Sequence, residues 1–174
     1  MENAEENVEP RPCGTPKQYW PVIRRVVVPT DFSGESLAAL GHAVYYGSAG
    51  AEIFLLHVAP NVNVPLAEYP SFYPMKDMSG TIREKVEAEL GRIIAECAPA
   101  GVKMTPAFRT GAVAHEIIEF AKSEKADLII MSTHGCSTGA ALKRLLLSSN
   151  AEIVLRQAPC PVLAVRVEPG ESSV

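Results

Sequence analysis

From residue 24 onward, short unbroken runs of Val, Ile and Leu alternate with longer stretches in which apolar residues recur every three or four positions. The first rhythm is that of a strand buried on both faces, the second that of a helix with one apolar stripe. Residues 24–29, 51–58, 102–108 and 127–131 read as strands, and the stretch from Val162 to Val167 as a fifth. Between them, residues 33–47 carry Leu37, Ala38, Leu40 and Val44 at helical spacing. Residues 81–98 place Ile82, Val86, Leu90, Ile93, Ile94 and Cys97 on one stripe, and residues 113–124 repeat the pattern with Ile117, Ile118 and Ala121. A last helix is expected to start near Ser149. Thr81 with Glu84, and Ser149 with Glu152, have the spacing of capping boxes.

Strands that alternate with helices predict a parallel sheet covered on both faces, a doubly wound α/β domain. Right-handed crossovers require the chain to reverse direction within the sheet, and ligands bind outside the carboxyl ends of the two strands flanking that reversal. If strands one and four flank it, the loops at 30–34 and 132–149 meet there. They are also the loops richest in small polar residues.

Composition narrows the classes of function. At 174 residues, 47% hydrophobic and 21% charged, the chain fits one domain of ordinary density, and a net charge of -4 leaves no electrostatic footprint for nucleic acid. No apolar run is long enough to span a bilayer, and the acidic, Pro-containing start does not read as a signal peptide, so no membrane partner and a cytoplasmic location are expected. Residues 1–22 read as a mobile acidic extension, 23–168 as the domain and 169–174 as a tail. Cys13, Cys97, Cys136 and Cys160 lack zinc or disulfide spacing and read as reduced thiols. Cys136 stands inside the fourth loop, where a redox role is weighed against an inert thiol. The Pro- and aromatic-rich segment at 60–79 reads as a lid, an interface or a mobile connection.

The fourth loop carries the strongest candidate chemistry. Gly, Ser and Thr between a strand and a helix start are what an anion-binding turn requires, because unpaired backbone N–H groups there face the ligand and the helix dipole favours negative charge. Ser148 and Ser149 stand at that helix start, where a hydroxyl could bond phosphate or cap the helix. Gly135 offers a backbone that lets phosphate approach closely. His134 has no local partner for a catalytic triad and reads as a turn-stabilising imidazole. Asp31 directly follows strand one, where a carboxylate accepts from ribose hydroxyls or an adenine amine, or helps cap the following helix together with Ser33.

These residues resemble the universal stress protein family. The run 26–36 (VVVPTDFSGES) is similar to that family's first strand and turn, 55–58 (LLHV) to its second strand, and 109–135 (RTGAVAHEIIEFAKSEKADLIIMSTHG) to its third strand through its fourth. The run 148–165 (SSNAEIVLRQAPCPVLAV) is similar to its closing helix and strand. The resemblance implies a five-stranded parallel sheet in the order 3-2-1-4-5 with helices on both faces, Rossmann-like and of the adenine-nucleotide alpha hydrolase type. It also implies a homodimer through the strand Val162 to Val167, an unidentified protein partner, and a ligand that is ATP, with Mg2+, or AMP. The cofactor-binding residues it implies are Pro29, Asp31, Val58, Met131, Ser132, Gly135, Ser148 and Ser149. Asp31 would meet the ribose, the Val58 backbone the adenine, and Gly135 with Ser148 and Ser149 the phosphates.

The chain departs from the nucleotide-binding pattern of that family, Gly-x2-Gly-x9-Gly followed by Ser or Thr. Carried onto this sequence, the first and third glycines fall on Ser132 and Ser148, and twelve residues separate Gly135 from Ser148. Serine in place of a glycine that needs positive φ or close phosphate contact costs about 1–3 kcal/mol. Gly139, inside the longer spacer, offers a glycine turn in another register. Two classes of function stay open: a stress-response regulator that binds an adenine nucleotide, and a dimeric interaction module without a cofactor. An enzyme, at most a slow ATP hydrolase, ranks third because the loop carries no carboxylate cluster or general base.

Overall fold

The strands are offset from the hydrophobic runs that mark them, and the fifth is shorter than expected, ending at Val165. The computed structural model describes residues 22–60, 79–133 and 149–166. In these, β1 (Arg25–Thr30), α1 (Gly34–Ser48), β2 (Glu52–Ala59), α2 (Ser79–Cys97), β3 (Met104–Thr110), α3 (Val113–Ser123), β4 (Leu128–Ser132), α4 (Ser149–Gln157) and β5 (Val162–Val165) follow one another. The first four strands lie one or two residues later than their apolar runs, because Thr30, Ala59, Thr110 and Ser132 complete ladders that the apolar run alone does not reveal. The start of β1 is fixed instead by a side chain: Asp127 Oδ2 accepts the N–H groups of Arg24 and Arg25 at 2.8 and 3.0 Å.

The described sheet is parallel, in the order β3-β2-β1-β4-β5. Side chains alternate across it, so β1 sends Val26 and Val28 to one core and Val27 to the other. The first core joins Leu40, Ile53, Leu55, Leu90, Ile93 and Ile130 beneath α1 and α2. The second joins Phe54, Leu56, Ile117, Phe120, Ile129 and Val154 beneath α3 and α4.

Three helical details differ from the expectations. The buried stripe of α1 is Ser36, Ala39, Leu40, Ala43 and Gly47, with Leu37 and Val44 only partly covered. Small residues are selected there because the helix lies close: a Cβ on Gly47 would stand 2.6 Å from Val102 Cγ1 and 2.8 Å from Ile53 Cδ1. Cys97 is exposed at the last turn of α2, off the stripe of Val86, Leu90 and Ile93. The helix starts also differ from those the two capping boxes imply. Helix α2 begins at Ser79, ahead of Thr81, and Ser149 is itself the first residue of α4, while Glu152 pairs with Arg156 at 2.9 Å.

Backbone parity decides what the two sheet edges present. In a parallel ladder a residue's N–H and C=O face one neighbour and those of the next residue face the other. Lys103 O accepts from Ile53 N–H, so odd-numbered β3 residues face β2 and Pro106 stands on the outer side. That edge lacks a donor at its centre. Pro161 O and Val165 O accept from Ile129 and Thr133, so odd-numbered residues around β5 face β4 and the Val162 and Ala164 N–H groups face outward.

Two glycines of α1 give opposite expectations. Gly47→Ala gains up to about 1 kcal/mol of helix propensity but forces Val102 and Ile53 apart at a cost of about 1–3 kcal/mol, so it destabilises. An added Cβ on Gly41 meets nothing within 4 Å, so Gly41→Ala stabilises by about 0.5–1 kcal/mol. Urea unfolding of both variants checks the pair of signs.

Candidate functional site

The turn after β1 is built by hydrogen bonds that leave few ways for it to move. Phe32 N–H donates to Thr30 Oγ1 at 3.0 Å. Ser36 Oγ–H donates to the Ser33 carbonyl at 2.9 Å, so the Thr30 hydroxyl donates to Ser36 Oγ, also at 2.9 Å. Ser33 is the N-cap of α1, its Oγ accepting from Ser36 N–H at 3.2 Å. Asp31 Oδ1 in turn accepts from the Ser33 N–H at 3.1 Å and from its hydroxyl at 2.5 Å. Both readings of Asp31 therefore bear on one geometry: Ser33 does the capping, and the exposed Asp31 carboxylate orients the cap by an Asx turn.

The turn also changes what β2 offers. Glu52 N–H donates to Arg24 O, so the even-numbered residues of β2 aim their backbone groups at β1. The register ends at Thr30 opposite His57, and β2 continues to Ala59. A continued ladder would aim Phe32 N–H at the Val58 carbonyl. Phe32 gives that donor to Thr30 Oγ1, and the Val58 carbonyl faces the side from which β1 has turned away.

On the other flank, β1 and β4 pair through Val26–Leu128 and Val27–Ile129. Arg25 O accepts from Asp127 N–H, which sets odd β1 residues toward β4. Pro29 is one of them and lacks the donor that the next rung requires. Ser132 ends β4 at 8% exposure, opposite Val165. The described residues with left-handed φ other than glycine are Phe32 and Lys125, so Ser132 carries none of the backbone strain expected of a serine on a glycine position. Its cost is confined to the space its Cβ and hydroxyl occupy.

The structure thus brings Pro29, Asp31, Val58 and Ser132 to the carboxyl ends of adjacent strands. Met131 packs at 6% exposure in the core beneath α3 and α4. Ser149 is exposed at the start of α4. Gly135, Gly139, Ser148, His134 and Cys136 lie outside the described residues, as do most of 60–79, the N-terminal extension and the C-terminal tail. Among the described residues no group of three or more His, Cys, Asp or Glu side chains is placed to hold a metal, and no helix is long and apolar enough to cross a membrane.

Two residues of the site carried no expectation from the sequence. His57, 4% exposed, approaches the Thr30 carbonyl with Nδ1 at 2.8 Å, and since a carbonyl only accepts, Nδ1 carries the proton. Phe32, at φ 64°, lays its ring on the imidazole with centroids 4.5 Å apart. The signal available for His57 was a polar residue inside an apolar strand, which requires a buried partner.

A parallel α/β sheet whose strand order reverses between β1 and β4 is of the doubly wound class, in which ligands bind outside the carboxyl ends of the strands flanking the reversal. The sequence profile of the universal stress protein family matches residues 23–166. The universal stress protein MJ0531 of Methanocaldococcus jannaschii is 37% identical over 147 residues, 83% of each chain. This chain belongs to the universal stress protein family. The solved structure of MJ0577 shares its fold with a TM-score of 0.70 at 24% identity, covering 86% of this chain and all of that one. A universal stress protein solved in complex with cAMP superposes with a TM-score of 0.55 at 26% identity, covering 83% of this chain and 97% of that one.

Burial pushes the His57 imidazole below its ordinary value of 6.5, opposed by the hydrogen bond to Thr30 and the charge of Asp31. A depressed imidazole stays neutral in the fold while the unfolded chain takes up a proton, so its contribution is complete above 6.5 and is lost as pH falls through the native value. The shifted carboxylates, Glu52, Glu89 and Glu119, are held below 4.5 and act in a more acid range. The urea midpoint is therefore expected to fall between about pH 7 and 5, and to fall less in His57→Phe.

Proposed function

We propose that this protein is a stress-response regulator that binds an adenine nucleotide between the carboxyl ends of β1 and β4, and that it acts as a homodimer. The observation that carries the reading is the pairing of an oriented Asp31 carboxylate with a Val58 carbonyl freed from the β1 ladder. A ribose supplies hydroxyl donors to the first and an adenine supplies an amine donor to the second, so a nucleoside matches two acceptors on neighbouring strands. A family member of 26% identity solved with cAMP supports the same ligand class. Ser149, at the start of α4, suits a phosphate, with Gly135 and Ser148 as its expected companions. If ATP is the ligand, Mg2+ is carried mainly by its phosphates.

Binding must appear as stabilisation, about 2.7 kcal/mol at a hundredfold excess over the dissociation constant. Thermal unfolding with millimolar Mg-ATP, AMP and cAMP is expected to raise the midpoint of the wild-type protein. Asp31→Asn keeps an oxygen for Ser33 but loses the charge, and is expected to bind about tenfold more weakly. Ser132→Gly, which opens space without changing a required φ, is expected to bind more tightly. No shift with any of the three nucleotides replaces this reading with the cofactor-free interaction module.

The dimer reading rests on the unequal edges. β5 presents outward N–H groups at Val162 and Ala164 beside the half-exposed Leu163, whereas Pro106 interrupts β3. Exposed edges with intact donors pair with one another. Sedimentation is expected to give a dimer at micromolar concentration, and Ala164→Pro, which removes an outward donor, is expected to give a monomer. A wild-type monomer, or a dimer indifferent to that substitution, excludes pairing through β5.

A further inference from the structure

The proposed site does not itself use His57, although this imidazole contacts both neighbours of Asp31. Its Nδ1–H donates to the Thr30 carbonyl on one side, and its ring bears the Phe32 ring on the other, 4.5 Å away and tilted by 23°. The imidazole is also held from behind. Phe108 of β3 lies parallel to it within 9°, centroids 6.3 Å apart, and the Arg83 guanidinium stands 5.7 Å over Phe108. The residue after it, Val58, carries the carbonyl assigned to the adenine.

Phe32 shows that the stack holds the turn. A bulky residue at φ 64° occupies a region that L side chains avoid, at a cost of about 1–2 kcal/mol, and glycine or asparagine would serve the turn with less strain. A ring at this position persists only where its contacts offset that cost. Those contacts are the imidazole face, the first core against which the side chain also packs, and the bond from Phe32 N–H to Thr30 Oγ1.

We propose that His57 is the positioning residue for the nucleoside end of the site: by holding Thr30 and Phe32 it fixes the Asp31 carboxylate relative to the Val58 carbonyl. The assignment rests on the nucleotide reading above and adds to it a division of labour. The β1 and β2 ends recognise the nucleoside as one rigid unit, and the phosphates are assigned to the start of α4 and the loop before it. A histidine serving the core alone would change stability and leave ligand discrimination as it was.

Two buried variants separate its two contacts. His57→Phe keeps an aromatic ring and loses the donor; His57→Asn keeps a donor near Nδ1 and loses the ring. Phe32→Asn removes the stack from the solvent side with a residue at ease at positive φ, and so reports on the same device without disturbing the buried position. Calorimetric titrations with ATP, adenosine and tripolyphosphate are compared in all four proteins, together with hydrogen exchange of the amides at positions 32 and 33 in the absence of ligand.

The expected result is a loss of about tenfold or more in affinity for ATP and adenosine, the scale of one charged or well-placed hydrogen bond. Affinity for tripolyphosphate is expected to stay unchanged. Exchange at positions 32 and 33 is expected to quicken while the Val27 and Leu55 amides keep their protection. Wild-type protein that binds ATP and adenosine, with variants that bind them equally well or lose tripolyphosphate to the same degree, overturns the assignment of His57 alone. Unchanged exchange at 32 and 33 in the variants overturns it as well. Wild-type protein that binds neither ATP nor adenosine overturns the nucleotide reading and this assignment together.

Discussion

The ending of β1 is the constraint on which the rest of this site depends. A central strand that stops between two neighbours leaves donors and acceptors in a region where an unpaired polar group costs about 1–3 kcal/mol. Here the cost is avoided by a short circuit of local bonds: Phe32 N–H turns to Thr30 Oγ1, the Thr30 hydroxyl to Ser36 and Ser36 to the Ser33 carbonyl. The same diversion that lets the strand end also withdraws a donor from β2. The polar groups at these strand ends, among them the Asp31 carboxylate and the Val58 carbonyl, therefore follow from how the strand terminates.

Parity extends this logic to the whole sheet. Because alternate residues face opposite neighbours, a single proline acts on one side only. Pro29 withholds a donor from β4 near the carboxyl end of β1, and Pro106 withholds one from the free edge of β3, while the outward donors of β5 are intact. Proline placement thus distinguishes three boundaries of one sheet. Hydrophobic content alone would not have told the two free edges apart, since β3 and β5 are both only partly buried.

The sequence made the order of elements legible because each strand is a continuous apolar run and each helix a periodic one. It marked Asp31 through its position at a strand end, where topology assigns ligands, whereas Val58 and Ser132 entered only through the family resemblance. Three features resisted it for physical reasons. The α1 stripe runs through Ala39, Ala43 and Gly47, chosen for close approach and carrying little hydrophobic signal. The strand ends Thr30, Thr110 and Ser132 are polar residues that join the ladders through backbone, so they fall outside the apolar runs. Phe32 adopts a left-handed φ that its residue type does not announce, and His57 is hidden within FLLHVA, where only its need for a buried partner sets it apart.

Ser132 changes the weight placed on the two ends of the proposed site. A glycine replaced at a left-handed position would disturb the chain path itself, but Ser132 lies within β4 in an ordinary strand conformation and adds a side chain without a strained φ. Its effect is then local to what lies beside it at the end of β4, whereas the turn of β1 is held by bonds among Thr30, Asp31, Phe32, Ser33 and Ser36. In the proposed site the nucleoside end keeps its bonds whatever the serines cost the phosphates. Binding energy concentrated on the rigid end needs no further ordering of the protein there, which is where preorganisation contributes most to affinity. A regulator arranged in this way would discriminate by its nucleoside and tolerate variation in the phosphate loop.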